Sequence, residues 1–342
     1  MNDCPAPISR YTAVAMGHGG GGRLTAELIE RVFLRAYGDQ VPGALEDQAV
    51  LPASGERIAI TTDAFVVRPL FFPGGDIGKL AVCGTVNDLA VGGARPLYLT
   101  AAFVLEEGFP IADLERIALS VRDTCALAGV RLVAGDTKVV ERGKGDGVYL
   151  TTTGVGVVPA GVRLSIAAAR PGDRVLVSGP VGDHGIAILA LREGIDLETE
   201  LASDCAPVIE PAQALLAAAP DLRCMRDPTR GGLATVLCEL AAASAVGVHL
   251  DERAVPVRDE VRGACELLGL DPLYVACEGR VVAVVPPDQA DAALAALRVH
   301  DPAAAAVGVV VDAPTGQVTA TTVAGGERVV PMLAGEQLPR IC

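Results

Sequence analysis

RIAITTDAFVVRPLFFPGGDIGKLAVCGTVNDLA, residues 57–90, is the stretch that decides the fold. Arg57–Thr62 reads as a strand ending at Asp63, and Gly78–Ala90 reads as a helix with a continuous apolar face. Strand followed by helix is the working unit of an α/β protein. Asp88 falls inside that helix, where Asp is disfavoured because its short side chain competes with the helical backbone.

The same grammar extends outward on both sides. Upstream, residues 1–16 read as a lead-in, followed by the cluster Gly17-His18-Gly19-Gly20-Gly21-Gly22 and a helix whose apolar face carries Leu24, Leu28, Ile29, Val32, Phe33 and Ala36. Downstream come strand 97–105, helix 111–128, a short buried strand 130–134 ending in Gly135-Asp136, and strand 148–158. Arg170-Pro171-Gly172 opens a second block with strands 174–178, 281–285, 306–311 and one near Val329, and helices 184–192, 207–218, 232–243 and 288–298. The expected organisation is an N-terminal Gly-rich segment and helix (1–45), an α/β domain (46–160), a second α/β domain (161–334) and a polar, mobile tail (335–342).

Composition agrees with an α/β core. Half the residues are hydrophobic (51%), only 3% are aromatic and Trp is absent, so the core must be aliphatic. A net charge of −14 repels phosphate backbones and anionic lipid, which argues against nucleic acid and membrane partners. The nine cysteines (4, 83, 125, 205, 224, 238, 265, 277 and 342) form no C-x-x-C pair. Neither a disulfide framework nor a zinc ribbon is expected, and most of them read as small core residues. The start MNDCPAPISR lacks an apolar signal core and no apolar run approaches a membrane span, so a cytoplasmic location is expected.

Four groups of residues could carry chemistry. Asp63, Asp88, Asp136 and Asp227 lie in or beside apolar segments, and carboxylates gathered at strand ends suit Mg²⁺ shared with phosphate. Each taken singly reads equally as a helix cap or turn former. The glycines 17–22 before a helix could cradle an anion, although no Lys-Ser/Thr follows as in a Walker loop. Lys138, two residues from Asp136, and Glu278, before an apolar strand, are candidates for phosphate pairing or proton transfer. His184 reads as a helix-start residue. Last, Cys342 ends the chain as an exposed thiol, with Arg340 two residues away to favour thiolate.

Together, HGGGGRLTAELI (18–29), residues 61–96, GDTKVVERG (135–143), DPTRGGLA (227–234), CEGR (277–280) and PRIC (339–342) carry a resemblance over nearly the whole chain. They resemble the ATP-binding superfamily of aminoimidazole ribonucleotide synthetase, selenophosphate synthetase and thiamine-monophosphate kinase. Within it they look most like the HypE family of carbamoyl dehydratases in hydrogenase maturation, which the terminal PRIC sets apart. The resemblance implies two α/β halves, with the N-terminal halves of two subunits joined in a β-barrel-like homodimer core. It implies ATP contacts at His18, Gly19, Gly20, Gly21, Asp63, Asn87, Asp88, Asp136, Thr137 and Gly154. It implies Mg²⁺ on Asp63, Asp88, Asp136 and Asp227, proton handling by the pair Lys138 and Glu278, and Cys342 as substrate carrier. One departure is Cys277, where a polar residue such as Asn is expected, and which would put a second thiol near the chemistry.

The implied reaction dehydrates an S-carbamoyl group on Cys342 to a thiocyanate at the expense of ATP, for cyanide delivery to the iron of a [NiFe]-hydrogenase. A HypF-like carbamoyltransferase would load the thiol, and a HypC–HypD-like complex would accept cyanide. Gly335 to Cys342 is seven steps, so an extended tail reaches at most roughly 23–25 Å. The alternatives are another superfamily synthetase or kinase acting on a free small molecule, and a non-catalytic adaptor whose tail is a docking peptide.

Overall fold

The computed structural model describes residues 22–28, 30, 46, 49–52, 57–195, 201–333, 335 and 338–342. Its first half runs α1 (Arg23–Leu28), β1 (Ala49–Pro52), β2 (Arg57–Phe65), β3 (Phe71–Phe72), β4 (Gly75–Asp76), α2 (Ile77–Val91), β5 (Arg95–Glu106), α3 (Ile111–Leu127), β6 (Arg131–Val140) and β7 (Val148–Val158). Its second half begins with β8 (Arg174–Val177), α4 (Asp183–Glu193), α5 (Ile209–Ala218), β9 (Cys224–Arg226), α6 (Gly232–Ala243), β10 (Gly247–Asp251) and α7 (Asp259–Leu268). It ends with β11 (Val282–Val285), α8 (Ala290–His300), β12 (Ala305–Val311), β13 (Val318–Thr321) and β14 (Glu327–Val329). Among the described residues no helix is long and apolar enough to cross a membrane.

α2 is the keystone. Asp76 caps it, accepting from the N–H groups of Gly78 (2.7 Å) and Lys79 (3.0 Å). Only Lys79 and Asp88 of its residues escape burial. A helix apolar almost all round must be covered on every side. Here the first sheet, in the order β1-β2-β7-β5-β6, covers one side and α3 another, while α5 and β9 of the second half close over the rest. The second sheet, β14-β13-β10-β12-β8-β11-β9, is buried on both faces at its centre. Val282 and Val284 of β11 pack with Leu233 and Leu237 of α6, whereas Ala283 and Val285 pack with Leu215 of α5 and Leu297 of α8. Each such fully buried large aliphatic side chain contributes about 1.5–3 kcal/mol.

The expected α/β architecture holds, with three local differences. β2 does not stop at Asp63 but continues to Phe65, so Asp63 lies within a strand. The strand expected at 130–134 is not short or buried: β6 runs ten residues to Val140, and its side chains are exposed. Asp136 is therefore mid-strand, on a strand that pairs only with β5 among the described residues. Third, the described end of the tail, residues 338–342, is not an exposed polar leash. Leu338 and Ile341 are buried in the main core cluster and Cys342 packs against it half-buried. The apolar residues of that tail are too few to show as a pattern, which is why it read as solvent-facing. Of the helix expected through Ala36, Arg23–Leu28 and Glu30 lie in the described residues, and His18, Gly19, Gly20 and Gly21 lie outside them.

Candidate functional site

β2 and α2 supply the first two carboxylates. Strand alternation puts Ala59, Thr61, Asp63 and Phe65 on the face toward α2. Gly84 of α2 packs against Phe65, and a Cβ there would stand 3.7 Å from Asp63 Oδ2. One turn later Asp88 accepts a hydrogen bond of 2.7 Å from Thr61 Oγ1. Asp63 and Asp88 thus occupy successive steps of one β2–α2 seam. An interior Asp is tolerated in α2 because Thr61 satisfies it.

The second half brings Asp227 and Glu278 to the same seam. Both are buried, at 8% and 2% exposure. Asp204 accepts from the Glu278 N–H (2.9 Å), and Asn87 of α2 donates to the Glu278 carbonyl (3.4 Å). Asn87 also donates to Ala206 O and accepts from Val208 N–H. It is therefore a strut that sets the second half on α2, its amide engaged at both ends by protein backbone. Gly154 is likewise a packing position, since a Cβ there would meet Thr85 Cγ2 at 2.8 Å and Leu89 Cδ1 at 2.9 Å.

Electrostatically the cluster is under tension. Burial pushes Asp227 up to about 6, Arg226 pulls it back, and Asp63 pushes it further. Burial also raises Asp63, against the pull of Arg230. Glu278 is raised well above the ordinary carboxylate range, first by burial and then by Asp227, Asp204 and Asp63. Among the described residues its buried Oε1 has no hydrogen-bond partner. Such crowded carboxylates gain from a cation. Among the described residues no three Asp, Glu, His or Cys are placed to hold a metal by themselves. Mg²⁺ commonly takes one or two carboxylates and completes its shell with phosphate and water, and Asp63 with Asp227 fits that arrangement.

Asp136 and Lys138 do not join this cluster within one chain. The register Asp63↔Thr152, Ala101↔Thr152 and Ala101↔Gly135 sets Asp63 three strand spacings from β6, about 14 Å. Asp136 pairs with Ala102 and so projects to the opposite face of the sheet. There Lys138 Nζ donates to both oxygens of Asp136 (3.0 and 2.8 Å), and Thr137 N–H donates to Oδ1 (2.8 Å). The Lys138 hydrogen bond, foremost, lowers Asp136 below its usual value. The expected proton-handling pair is therefore separated: Lys138 lies on the exposed edge and Glu278 in the buried seam.

The tail ends beside the seam. Val66 N–H donates to Cys342 O (3.1 Å) and Arg68 N–H to Arg340 O (3.2 Å), so the last residues run antiparallel to the segment leaving β2. Val66 is three residues beyond Asp63, roughly 10 Å along an extended chain. His184, buried at the start of α4, hydrogen-bonds Ile341 O (2.7 Å) through Nε2 and Ser203 Oγ (2.7 Å) through Nδ1. Burial holds its pKa down to about 4, so the ring is neutral at physiological pH, donating from Nε2 and accepting at Nδ1. Sequence reasoning read His184 as a helix start, which it is, and missed this grip. No local pattern marks a histidine whose partner lies 157 residues away. Arg340 does not stand ready to stabilise a thiolate, because it pairs with Asp146 and donates to Val66 O. Cys277 is fully buried, takes an N–H from Gly182 (3.2 Å) and has its pKa pushed well up by burial, the state of an inert core thiol.

The AIR synthase related protein N-terminal domain matches residues 45–158 and the corresponding C-terminal domain residues 170–321. Carbamoyl dehydratase HypE of Azotobacter vinelandii is 54% identical over 335 residues, covering 97% of this chain and 98% of that protein. A solved HypE–HypF complex superposes with a TM-score of 0.85 at 47% identity, covering 90% of this chain and 99% of the other. A HypE solved in complex with ATP gives a TM-score of 0.82 at 46% identity, covering 95% and 98%.

Proposed function

Since the chain belongs to the carbamoyl dehydratase HypE family of the AIR synthase related proteins, we propose that it dehydrates an S-carbamoyl group carried on its own Cys342 to a thiocyanate, with ATP as co-substrate. The observation that carries this reading is the docked tail. It sets the terminal residue beside Val66, next to a buried carboxylate cluster drawn from both halves. Tethering replaces a bimolecular encounter, a term worth up to roughly 7–11 kcal/mol in ideal intramolecular cases.

ATP, with Mg²⁺ on Asp63 and Asp227 and with Asp88 alongside, would supply the phosphoryl group that turns a poor leaving group, the amide oxygen, into phosphate. The protein's own part is proton handling in a dry site. Burial first, and then Asp227, Asp204 and Asp63, hold Glu278 toward its protonated form. Once Glu278 has passed that proton to the departing phosphate, its carboxylate would serve as the base for the carbamoyl N–H.

The protein is proposed to act as a homodimer. Among the described residues, the outer face of the first sheet exposes Ile60, Tyr98 and Val104, an apolar surface of the kind a second subunit covers. A partner copy there is also what would give Asp136, Thr137 and Lys138 a phosphate to meet. A HypF-like carbamoyltransferase is the proposed donor, by analogy with the solved HypE–HypF complex, and a HypC–HypD-like complex the acceptor, in the cytoplasm. Cys342→Ala is expected to bind ATP as the wild type does and to accept no carbamoyl group from the donor enzyme. Stoichiometric carbamoylation of that variant would sink the assignment.

A further inference from the structure

The last turn of α4 ends in a guanidinium that joins two distant segments of backbone. Arg192 donates from Nε (3.0 Å) and Nη2 (2.7 Å) to the carbonyl of Arg68. It also donates from Nη1 to Pro339 O (2.5 Å) and from Nη2 to Arg340 O (2.7 Å). Each of these acceptors is a main-chain oxygen, so through them the fork reads the path of the tail. A planar guanidinium with five fixed donors suits that task, and an ammonium does not.

A second link joins the same two segments. Asp146, in the loop between β6 and β7, accepts from Arg68 (3.0 Å) and also from Arg340. Between the links, Arg340 is held at φ +54, in the left-handed region that a residue with a Cβ rarely adopts. Such a conformation persists only where its surroundings over-determine it. Arg192, Asp146 and the Val66–Arg68 backbone are those surroundings.

We propose that Arg192 is the positioning residue of the C-terminal segment: its fork sets the register in which residues 339–342 lie along 66–68, and thereby where Cys342 comes to rest. It acts through the tail backbone and is not itself a catalytic group. The significance for catalysis rests on Cys342 being the substrate carrier, but the positioning does not, and neither ATP nor a donor enzyme is needed to test it.

The test is the rate at which iodoacetamide alkylates Cys342 in the full-length protein, read from the mass of the C-terminal peptide. Cys238, also half-buried, serves as an internal reference. Arg192→Met is expected to raise the Cys342 rate about tenfold, in proportion to lost charge-assisted hydrogen bonds, and to leave the Cys238 rate unchanged. Asp146→Asn is expected to give a smaller rise, again confined to Cys342. An unchanged Cys342 rate in Arg192→Met overturns the proposal, as does a parallel rise at both cysteines, which marks general loosening. If Arg192→Met does not fold, Arg192→Lys, which keeps the charge and loses the fork, is judged by the same two outcomes.

Discussion

Two acidic regions look alike in the sequence and are opposites in the fold. Asp227 and Glu278 sit under the contact between the two halves, buried, crowded by Asp63, and held toward their protonated forms. Asp136 sits on the exposed face of β6, where its pKa is lowered by Lys138 two residues along the same strand. The buried set stores charge repulsion that a ligand can relieve, while the edge pair is already neutralised. A carboxylate's neighbours in space, not its position after a strand, decide which kind it is.

Replacing a crowded acid tests the buried side and carries the larger expected effect on stability. Asp227 binds a proton up to about pH 6 in the fold, against an ordinary 3.8. Between those values the folded state holds more protons than the unfolded chain, so this group's contribution to stability falls as pH rises from about 4 to 6. It stays lost above that range. At neutral pH the penalty is on the order of 2–3 kcal/mol. Asp227→Asn should therefore be more stable than wild type at pH 7, with the difference vanishing toward pH 4 in chemical denaturation. A variant less stable than wild type at pH 7 would show that Asp227 is not under strain.

The edge side should respond in the reverse manner. An exposed ion pair contributes little to folding, so Asp136→Asn should melt at the wild-type temperature. If the edge contributes to a Mg²⁺–nucleotide site across a dimer, the same variant should lose Mg-ATP binding in titration calorimetry. Unchanged affinity would remove Asp136 from that role and leave the buried cluster as the whole site.

Much of this was legible from residues 57–90 outward, because strand and helix there have the right period and Asp88 is anomalous inside a helix. What sequence could not supply is long-range. Asp63 and Asp136 both read as ending a strand, yet the pairing of β2, β7, β5 and β6 puts them on opposite faces of one sheet. Asn87 adjoins Asp88 in sequence, yet its amide is used to hold residues 206–208. The tail's polar look hid Leu338 and Ile341, whose burial depends on His184 and Arg192 far upstream. β9, β10, α7 and β13 were not foreseen either. Their runs of three to ten residues are too short for periodicity to separate from loops.

The central claim is that Cys342 carries the substrate through dehydration. The direct measurement is the mass of the C-terminal peptide after incubation with the carbamoyl-donating partner, carbamoyl phosphate and ATP. The account predicts a gain corresponding to a cyano group on Cys342, and a carbamoyl group in its place when ATP is withheld. An unmodified Cys342, or a modification carried on another cysteine, would contradict it.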